Sequence, residues 1–154
     1  MNRLLIIVFG LWASITALAQ APEAPVRWQV TVRMATSTEG TAVFKARLQP
    51  GWHLYGMQLP EGGPKPTVID MSASKGVKFI SPLKADREPL TVHDKMFGID
   101  LTWWDSDIVI RRKFTVTDPA DARIAGKITF MGCNDQTCSP PSVFEFNKPV
   151  PKKS

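Results

Sequence analysis

The stretch VRWQVTVRM, residues Val26–Met34, alternates apolar and polar side chains from end to end. Successive side chains of a β-strand point to opposite faces of the sheet, so this period of two predicts a strand with one buried face. The apolar positions of this face are Val26, Trp28, Val30, Val32 and Met34.

Short extended segments, separated by turn residues, follow along the rest of the chain. Ala42, Phe44, Ala46 and Leu48 repeat the alternation, and the Pro/Gly-rich residues 60–66 predict a loop. No segment has the i, i+3, i+4, i+7 spacing of an amphipathic helix, and about eight short strands at this spacing predict a sandwich or a barrel. We predict an all-β, immunoglobulin-like β-sandwich, with further strands at residues 52–55, 67–71, 77–80, 101–104, 108–117, 124–133 and 142–146.

The amino-terminal residues have the pattern of a secretory signal peptide. A basic residue precedes an apolar run of about ten residues, and Ala17-Leu18-Ala19 follows as a cleavage sequence. We therefore predict an exported, periplasmic chain with a signal peptide at residues 1–19 and no transmembrane segment after cleavage. The remaining domain boundaries are a Pro-rich lead-in at 20–25, one domain at 26–148 and a Pro/Lys tail at 149–154.

The net charge of +5 is spread thinly, except at Arg111-Arg112-Lys113 and Lys152-Lys153. Neither cluster is interleaved with aromatic residues, so we expect no nucleic-acid partner. The two histidines and the absence of a Gly-x-Ser-x-Gly sequence argue against a serine hydrolase. We expect a monomer without a cofactor.

The two cysteines, Cys133 and Cys138, flank the four residues Asn134-Asp135-Gln136-Thr137. Because Asn and Asp favour turns, we expect a hairpin that places the cysteines opposite each other at its tip, where a disulfide can form. Strict alternation from Ile128 and Phe130 would point Cys133 away from the core. An exposed, short disulfide ring is typical of a labile bond. The spacing leaves both a redox function and a structural clip open.

The segment FMGCNDQTCSPP, residues 130–141, resembles the active-site segment of the N-terminal periplasmic domain of the thiol:disulfide interchange protein DsbD. The sequence GWHLY at residues 51–55 is similar to that family's glycine-aromatic strand, and HDKMFG at residues 93–98 is similar to its cap segment. The matches follow in the right order over most of the chain after the signal peptide. Two departures are a four-residue loop where the best-known members have five, and a chain that stops before any transmembrane or thioredoxin-like domain.

The resemblance implies a function in thiol:disulfide interchange. Cys133 and Cys138 would be the catalytic pair, with Cys138 forming a mixed disulfide that Cys133 resolves. The partners would be thioredoxin-like exported or membrane-linked redox proteins. Tyr55 and Asp94 would line the site, and Met96, Phe97 and Gly98 would form a cap loop that shields the sulfurs from unspecific oxidation.

Two alternatives of other classes remain open. The chain could be a noncatalytic immunoglobulin-like binding module that keeps the disulfide as a hairpin clip. It could also be an exported Cu(I)-binding protein, because Cu(I) prefers thiolate and thioether ligands. The candidate copper ligands are the two cysteines, His53, His93, Met57, Met96 and Met131. We interpret the methionines as packing or cap residues and His53 as a strand residue beside the core, and we expect no metal.

Overall fold

A computed structural model describes residues 24–152. The predicted signal peptide and residues 20–23 of the predicted lead-in lie outside the described residues, as do the last two residues of the tail. Residues 24–152 contain no helix, so this part of the chain has no helix that could cross a membrane. The strands of this part are β1 (Val26–Met34), β2 (Glu39–Leu48), β3 (His53–Tyr55), β4 (Val68–Asp70), β5 (Val77–Phe79), β6 (Lys84–Ala85), β7 (Leu90–Asp94), β8 (Ile99–Trp104), β9 (Ile108–Val116), β10 (Arg123–Phe130), β11 (Gly132–Cys133) and β12 (Ser142–Pro149).

The strands form three antiparallel sheets around a shared core. The first sheet has the order β1-β2-β9-β5, with β6 also paired to β9. The second has the order β12-β10-β4, and the third β11-β3-β8-β7. Phe44 of β2 meets Phe146 of β12 edge to face, with ring centroids 5.4 Å apart, so the first sheet packs on the second. The prediction of an all-β, immunoglobulin-like sandwich is confirmed.

The alternation in β1 has the predicted effect on burial. Val26, Trp28 and Val30 are buried in the main core, whereas Arg27 and Gln29 are exposed. The antiparallel register with β2 continues the same face through Ala46, Phe44 and Ala42, because directly paired residues share a face. The main core is therefore built on the stretch that predicted the first strand.

The segment 124–133 is two strands, where the sequence predicted one. β10 pairs with β12 and β4 and ends at Phe130, whereas β11 begins at Gly132 and pairs with β3 of the third sheet. The break lies at Met131, whose backbone carbonyl accepts a hydrogen bond from the Tyr55 N–H at 3.3 Å. The chain thus changes sheets two residues before Cys133, and the alternation of β10 does not extend to that cysteine.

The third sheet buries residues on both of its faces. Leu54 and Trp104 point into the main core from one face. The opposite face carries a second apolar cluster, whose fully buried members are Tyr55, Leu101 and Cys133. This second cluster positions the site described next.

Candidate functional site

A disulfide joins Cys133 and Cys138 across the end of a hairpin, with the two Cα atoms 4.0 Å apart. The four-residue connection is a tight turn because the Asn134 side-chain oxygen accepts hydrogen bonds from the N–H groups of Gln136 (2.9 Å) and Thr137 (2.8 Å). The Asn134 N–H in turn donates to the Thr137 carbonyl at 2.9 Å. The expected hairpin and disulfide are both present.

The direction predicted for Cys133 is wrong. Its side chain is 1% exposed and packs in the second cluster, because β11 belongs to the third sheet rather than continuing β10. Cys138 is only partly buried. The two cysteines therefore differ in exposure: Cys133 is buried, whereas Cys138 lies near the surface.

Gly132 allows this close packing next to the cysteine. A Cβ atom at this position would lie 2.9 Å from Cγ2 of Val26 and 3.3 Å from the backbone oxygen of His53. Its backbone carbonyl also accepts a hydrogen bond from the Ser139 N–H at 2.8 Å, which fixes the strand leaving the disulfide. The Gly-Cys pair thus lets β11 enter the space between β3 and the start of β1.

The turn between β7 and β8 forms the predicted cap segment. Asp94 ends β7 and is 6% exposed, and its Oδ1 accepts hydrogen bonds from the N–H groups of Met96 (2.7 Å) and Phe97 (3.1 Å). Gly98 closes the turn with a φ of 69°, a left-handed conformation that favours glycine, and its N–H donates to the Asp94 carbonyl at 2.7 Å. One carboxylate therefore holds the backbone of the whole turn.

The cap touches the disulfide through a sulfur atom. Sδ of Met96 lies 3.5 Å from Sγ of Cys138, although the Met96 side chain as a whole is 52% exposed. Phe97 packs edge-on against Tyr55, with ring centroids 6.3 Å apart. Of the three predicted cap residues, Met96 thus contacts the disulfide, Phe97 anchors the turn to the second cluster and Gly98 shapes it.

Tyr55 connects the cap to the sheet beneath the disulfide. Its hydroxyl donates a hydrogen bond to Oδ2 of Asp94 at 2.9 Å. Burial, followed by the hydrogen bond and the negative charge of Asp94, raises the pKa of Tyr55 well above its ordinary range. The phenol therefore stays protonated and keeps donating to the carboxylate throughout the physiological pH range.

His53 is a strand residue beside a buried cluster, as the sequence interpretation has it, and it also lines the cavity of the site. It pairs with Cys133 across β3 and β11, and it stacks on Trp103 with ring centroids 4.1 Å apart. Its Nε2 is buried and has no hydrogen-bond partner. Burial lowers the pKa of His53, against the attraction of Asp94 and Asp135. The His53-x-Tyr55 spacing could have indicated a shared face, because strand residues two apart point the same way.

A cavity of about 400 Å³ opens beside the disulfide. Its lining includes Cys133, His53, Tyr55, Asp94, Met96 and Trp103. The structure thus brings together five of the seven predicted site residues around the cavity or the disulfide, while Phe97 packs behind them and Gly98 closes the turn. Trp103 and Asn134 also line this cavity and were not singled out from the sequence, and His53 was considered there only as a candidate copper ligand. Within residues 24–152, no group of three or more His, Cys, Asp or Glu side chains is arranged to hold a metal ion.

Comparison with known proteins places these features in a family. The model of the N-terminal domain of the thiol:disulfide interchange protein DsbD matches residues 19–148. The crystal structure of the N-terminal periplasmic domain of ScsB from Proteus mirabilis is similar with a TM-score of 0.58 and 16% identity, over 85% of this chain and 49% of that chain. The chain thus spans about half the length of that structure.

A second solved structure is the DsbD n-terminal domain of Neisseria meningitidis in the reduced form, with a TM-score of 0.46 and 16% identity over 84% of this chain and 88% of that chain. No curated protein matches the chain. The family match covers most of the chain, including both cysteines, the cap segment and Tyr55. The chain belongs to the family of the N-terminal domain of the thiol:disulfide interchange protein DsbD.

Proposed function

We propose that this chain exchanges electrons with thioredoxin-like exported or membrane-linked redox proteins through Cys133 and Cys138. The observation that carries the proposal is the Cys133–Cys138 disulfide itself, placed at a hairpin end under the thioether of Met96 in a chain of this family. A disulfide that only stabilises a hairpin does not need a separate turn that covers one of its sulfurs. Because the pair lies within one chain, a monomer is sufficient for the reaction.

The unequal burial of the two sulfurs suggests an order of events. The partly exposed Cys138, as a thiolate, attacks a sulfur of the partner's disulfide and forms a mixed disulfide, and the partner's second sulfur leaves as a thiolate and takes up a proton. The buried Cys133 then loses its proton and attacks Sγ of Cys138, which releases the partner's first thiol. The partner gains two electrons and two protons, and Cys133–Cys138 becomes a disulfide. The same exchanges in the reverse direction, with a dithiol donor, reduce the Cys133–Cys138 disulfide again.

The cap would control which molecules reach Cys138. Met96 covers its sulfur, and only a partner that displaces the β7–β8 turn would bring its own sulfur into line for attack. Asp94 and Tyr55 would act as positioning residues, because they hold the backbone and the base of that turn. This arrangement protects a dithiol from small oxidants in an oxidising compartment.

The proposed compartment is the periplasm. The signal-peptide pattern at residues 1–19 supports export, and the similar ScsB domain is described as periplasmic. In such a compartment disulfides form and persist, so a domain that works as a reductant needs a protected dithiol and a source of electrons.

The test is to trap the mixed disulfide. A Cys133→Ala variant leaves Cys138 without its resolving thiol, so we expect it to accumulate a covalent complex with a thioredoxin-like protein, visible on a nonreducing gel and released by a thiol reductant. The matched Cys138→Ala variant keeps only the buried Cys133 and should trap little or none. If neither variant traps a partner and the wild-type disulfide resists thioredoxin-like dithiols, the pair is a clip in a binding module.

A further inference from the structure

Basic side chains that are dispersed in the sequence gather on the outer face of the first sheet. In β1, β2 and β9 alternate side chains, among them Phe44 and Ile110, are directed to the main core, so the side chains between them point outward. Direct pairing with β9 adds side chains of β5 and β6 to this outer face. Its cations, which we call the basic face, are Arg27, Arg33, Lys45, Arg47, Lys78, Lys84, Arg111 and Lys113. Glu39 is the only acidic residue of these five strands.

The middle of the basic face is a cluster of cations without ion-pair partners. Lys84 is directly paired with Arg111, and Lys113 lies two residues further along the same strand, at about 7 Å. All three are exposed, and they line a cavity of about 490 Å³. The one carboxylate that lines this cavity, Asp86, lies 3.8 Å from the guanidinium of Arg87. The ion pairs of the described residues leave the three cations without a carboxylate. Because adjacent like charges repel each other, a bound anion would stabilise the cluster.

The apolar content of the basic face indicates the kind of anion. The Ile80 N–H donates to the Lys113 carbonyl at 2.9 Å, and the Ile80 side chain is 49% exposed. The aromatic residues of the first sheet all point to the main core; they are Trp28, Phe44, Phe79 and Phe114. The centre of a protein–protein interface is apolar and rich in aromatic residues. Adsorption to an anionic bilayer needs only basic side chains, and an apolar side chain that enters the headgroup layer strengthens it. This face therefore fits a lipid surface better than a protein.

We propose that the basic face binds an anionic phospholipid surface, with lipid phosphate groups at Lys84, Arg111 and Lys113. The attraction is electrostatic, and each basic residue near such a surface strengthens adsorption about 5-fold. The proposal goes beyond the proposed function and does not rest on it, because no residue of the basic face belongs to the cysteine site.

A bilayer on the basic face would leave the disulfide accessible. Phe44 of the first sheet and Trp104 of the third sheet both belong to the main core. Cys133 lies on the other face of the third sheet, in the second cluster. The main core thus separates the disulfide from the basic face. A chain adsorbed in this way would present Cys138 to partners in solution.

The experiment measures how much of residues 20–154 sediments with lipid vesicles. This segment is the predicted exported form and contains all the described residues. It lacks the apolar run at residues 4–13, which would bind lipid by itself. We expect binding to vesicles of phosphatidylcholine mixed with phosphatidylglycerol, and no binding to phosphatidylcholine alone. Added salt should release the chain, because salt screens exposed charges.

Two variants with the same change in net charge locate the binding surface. The first combines Lys84→Gln, Arg111→Gln and Lys113→Gln, and should bind about 100-fold more weakly because three basic residues are lost. The control combines Lys65→Gln, Lys127→Gln and Lys148→Gln, which are exposed positions outside the basic face, and should lose less than about 5-fold. Both variants should unfold in urea as the wild type does, because all six side chains are exposed.

The other outcomes would overturn the proposal. Equal weakening in the two variants would show that net charge, and not the basic face, sets the binding. Equal binding to both kinds of vesicle would exclude recognition of anionic lipid. Release by inorganic phosphate at a lower ionic strength than by chloride would assign the cavity to free phosphate. Binding to polyglutamate instead of vesicles, with the same loss in the first variant, would assign the face to an acidic protein.

The cysteine variant keeps this test separate from the test of thiol interchange. Cys133→Ala should bind the anionic vesicles as the wild type does, whether or not it traps a redox partner. Vesicle binding that depends on the basic face, without any trapped partner, would support the lipid surface and contradict the interchange function. A trapped partner without vesicle binding would support interchange and contradict the lipid surface.

Discussion

The carboxylate of Asp94 is shared between the hydroxyl of Tyr55, which donates to Oδ2 at 2.9 Å, and the backbone of the turn that covers the disulfide. Tyr55 is fully buried on β3, so this hydrogen bond connects the third sheet to a turn whose tip residue, Met96, is largely exposed. One buried carboxylate, together with the packing of Phe97 on Tyr55, thus holds the cap next to Cys138.

Replacement of Asp94 by Ala should loosen the cap. The variant loses the acceptor for two backbone N–H groups and leaves the Tyr55 hydroxyl buried without its partner, at a cost of about 1–3 kcal/mol in the free energy of unfolding. We also expect faster reduction of Cys133–Cys138 by dithiothreitol. Urea unfolding measures the loss of stability, and the rate of disulfide reduction by dithiothreitol measures the loosening of the cap.

The control for this change is Asp94→Asn, whose side-chain oxygen can still accept from the N–H groups of Met96 and Phe97. It should keep most of the stability and the slow reduction of the wild type. Equal reduction rates in Asp94→Ala and the wild type would show that the carboxylate does not hold the cap closed.

The pKa of Tyr55 gives a pH-dependent prediction. Tyr55 is the only tyrosine of the chain, so the phenolate absorbance reports on it alone. Because its folded-state pKa is raised above the ordinary value of about 10, no phenolate should form in the native protein as the pH passes that value. The contribution of protonated Tyr55 to the free energy of unfolding is complete below about pH 10 and is lost as the pH rises above that value. Phenolate should therefore appear together with unfolding.

The Asp94→Asn variant separates the causes of this shift. It removes the negative charge beside the hydroxyl but leaves the burial, which is the largest cause. Its Tyr55 should therefore titrate at a lower pH than the wild-type residue and still above about 10. A wild-type phenol that ionises freely near its ordinary pKa, with the protein still folded, would contradict the hydrogen-bonded burial described here.

The local alternation of apolar and polar residues was sufficient to predict the strands that face the main core, but it was insufficient to predict the site. Val26, Trp28 and Val30 were predicted correctly because one face of β1 is buried and the other is exposed. β7 was missed because its residues Leu90 and His93 are both exposed, so an edge strand shows no alternation. Propensity carries little information for such a strand, since its pairing with β8 decides its conformation.

The errors at the site have a single physical origin, which is long-range pairing. The burial of Cys133 follows from the exchange of partners at Met131, and nothing within residues 124–133 encodes the distant strand β3 that receives it. His53 belongs to the site for the same reason, because its register with Cys133 is a contact across 80 residues of sequence, from 53 to 133. Resemblance to a family supplied Tyr55 and Asp94, which periodicity alone would have missed.

Replacement of Gly132 by Ala should destabilise the region that carries Cys133. The added methyl group would lie 2.9 Å from Cγ2 of Val26, which is itself buried, so we expect a loss of about 1–3 kcal/mol in the free energy of unfolding. A double-mutant cycle with Val26→Ala tests the cause. The Gly132→Ala change should cost less in the Val26→Ala background, because the clashing methyl is absent there. Strict additivity of the two changes in urea unfolding would exclude this contact as the reason for the glycine.

Replacement of Met96 by Ala removes the thioether sulfur that lies 3.5 Å from Sγ of Cys138, and leaves the turn intact because Asp94 binds backbone groups. We therefore expect an unchanged free energy of unfolding together with a several-fold faster reduction of the disulfide by dithiothreitol. Leu90→Ala is the matched control, because Leu90 lies on the same hairpin and is 49% exposed, close to the 52% of Met96. If Met96→Ala and Leu90→Ala are reduced at the wild-type rate, access to Cys138 is set by the sheet rather than by the cap. If only Met96→Ala is faster, the thioether is the shield, and a partner must displace it before its sulfur can reach Cys138.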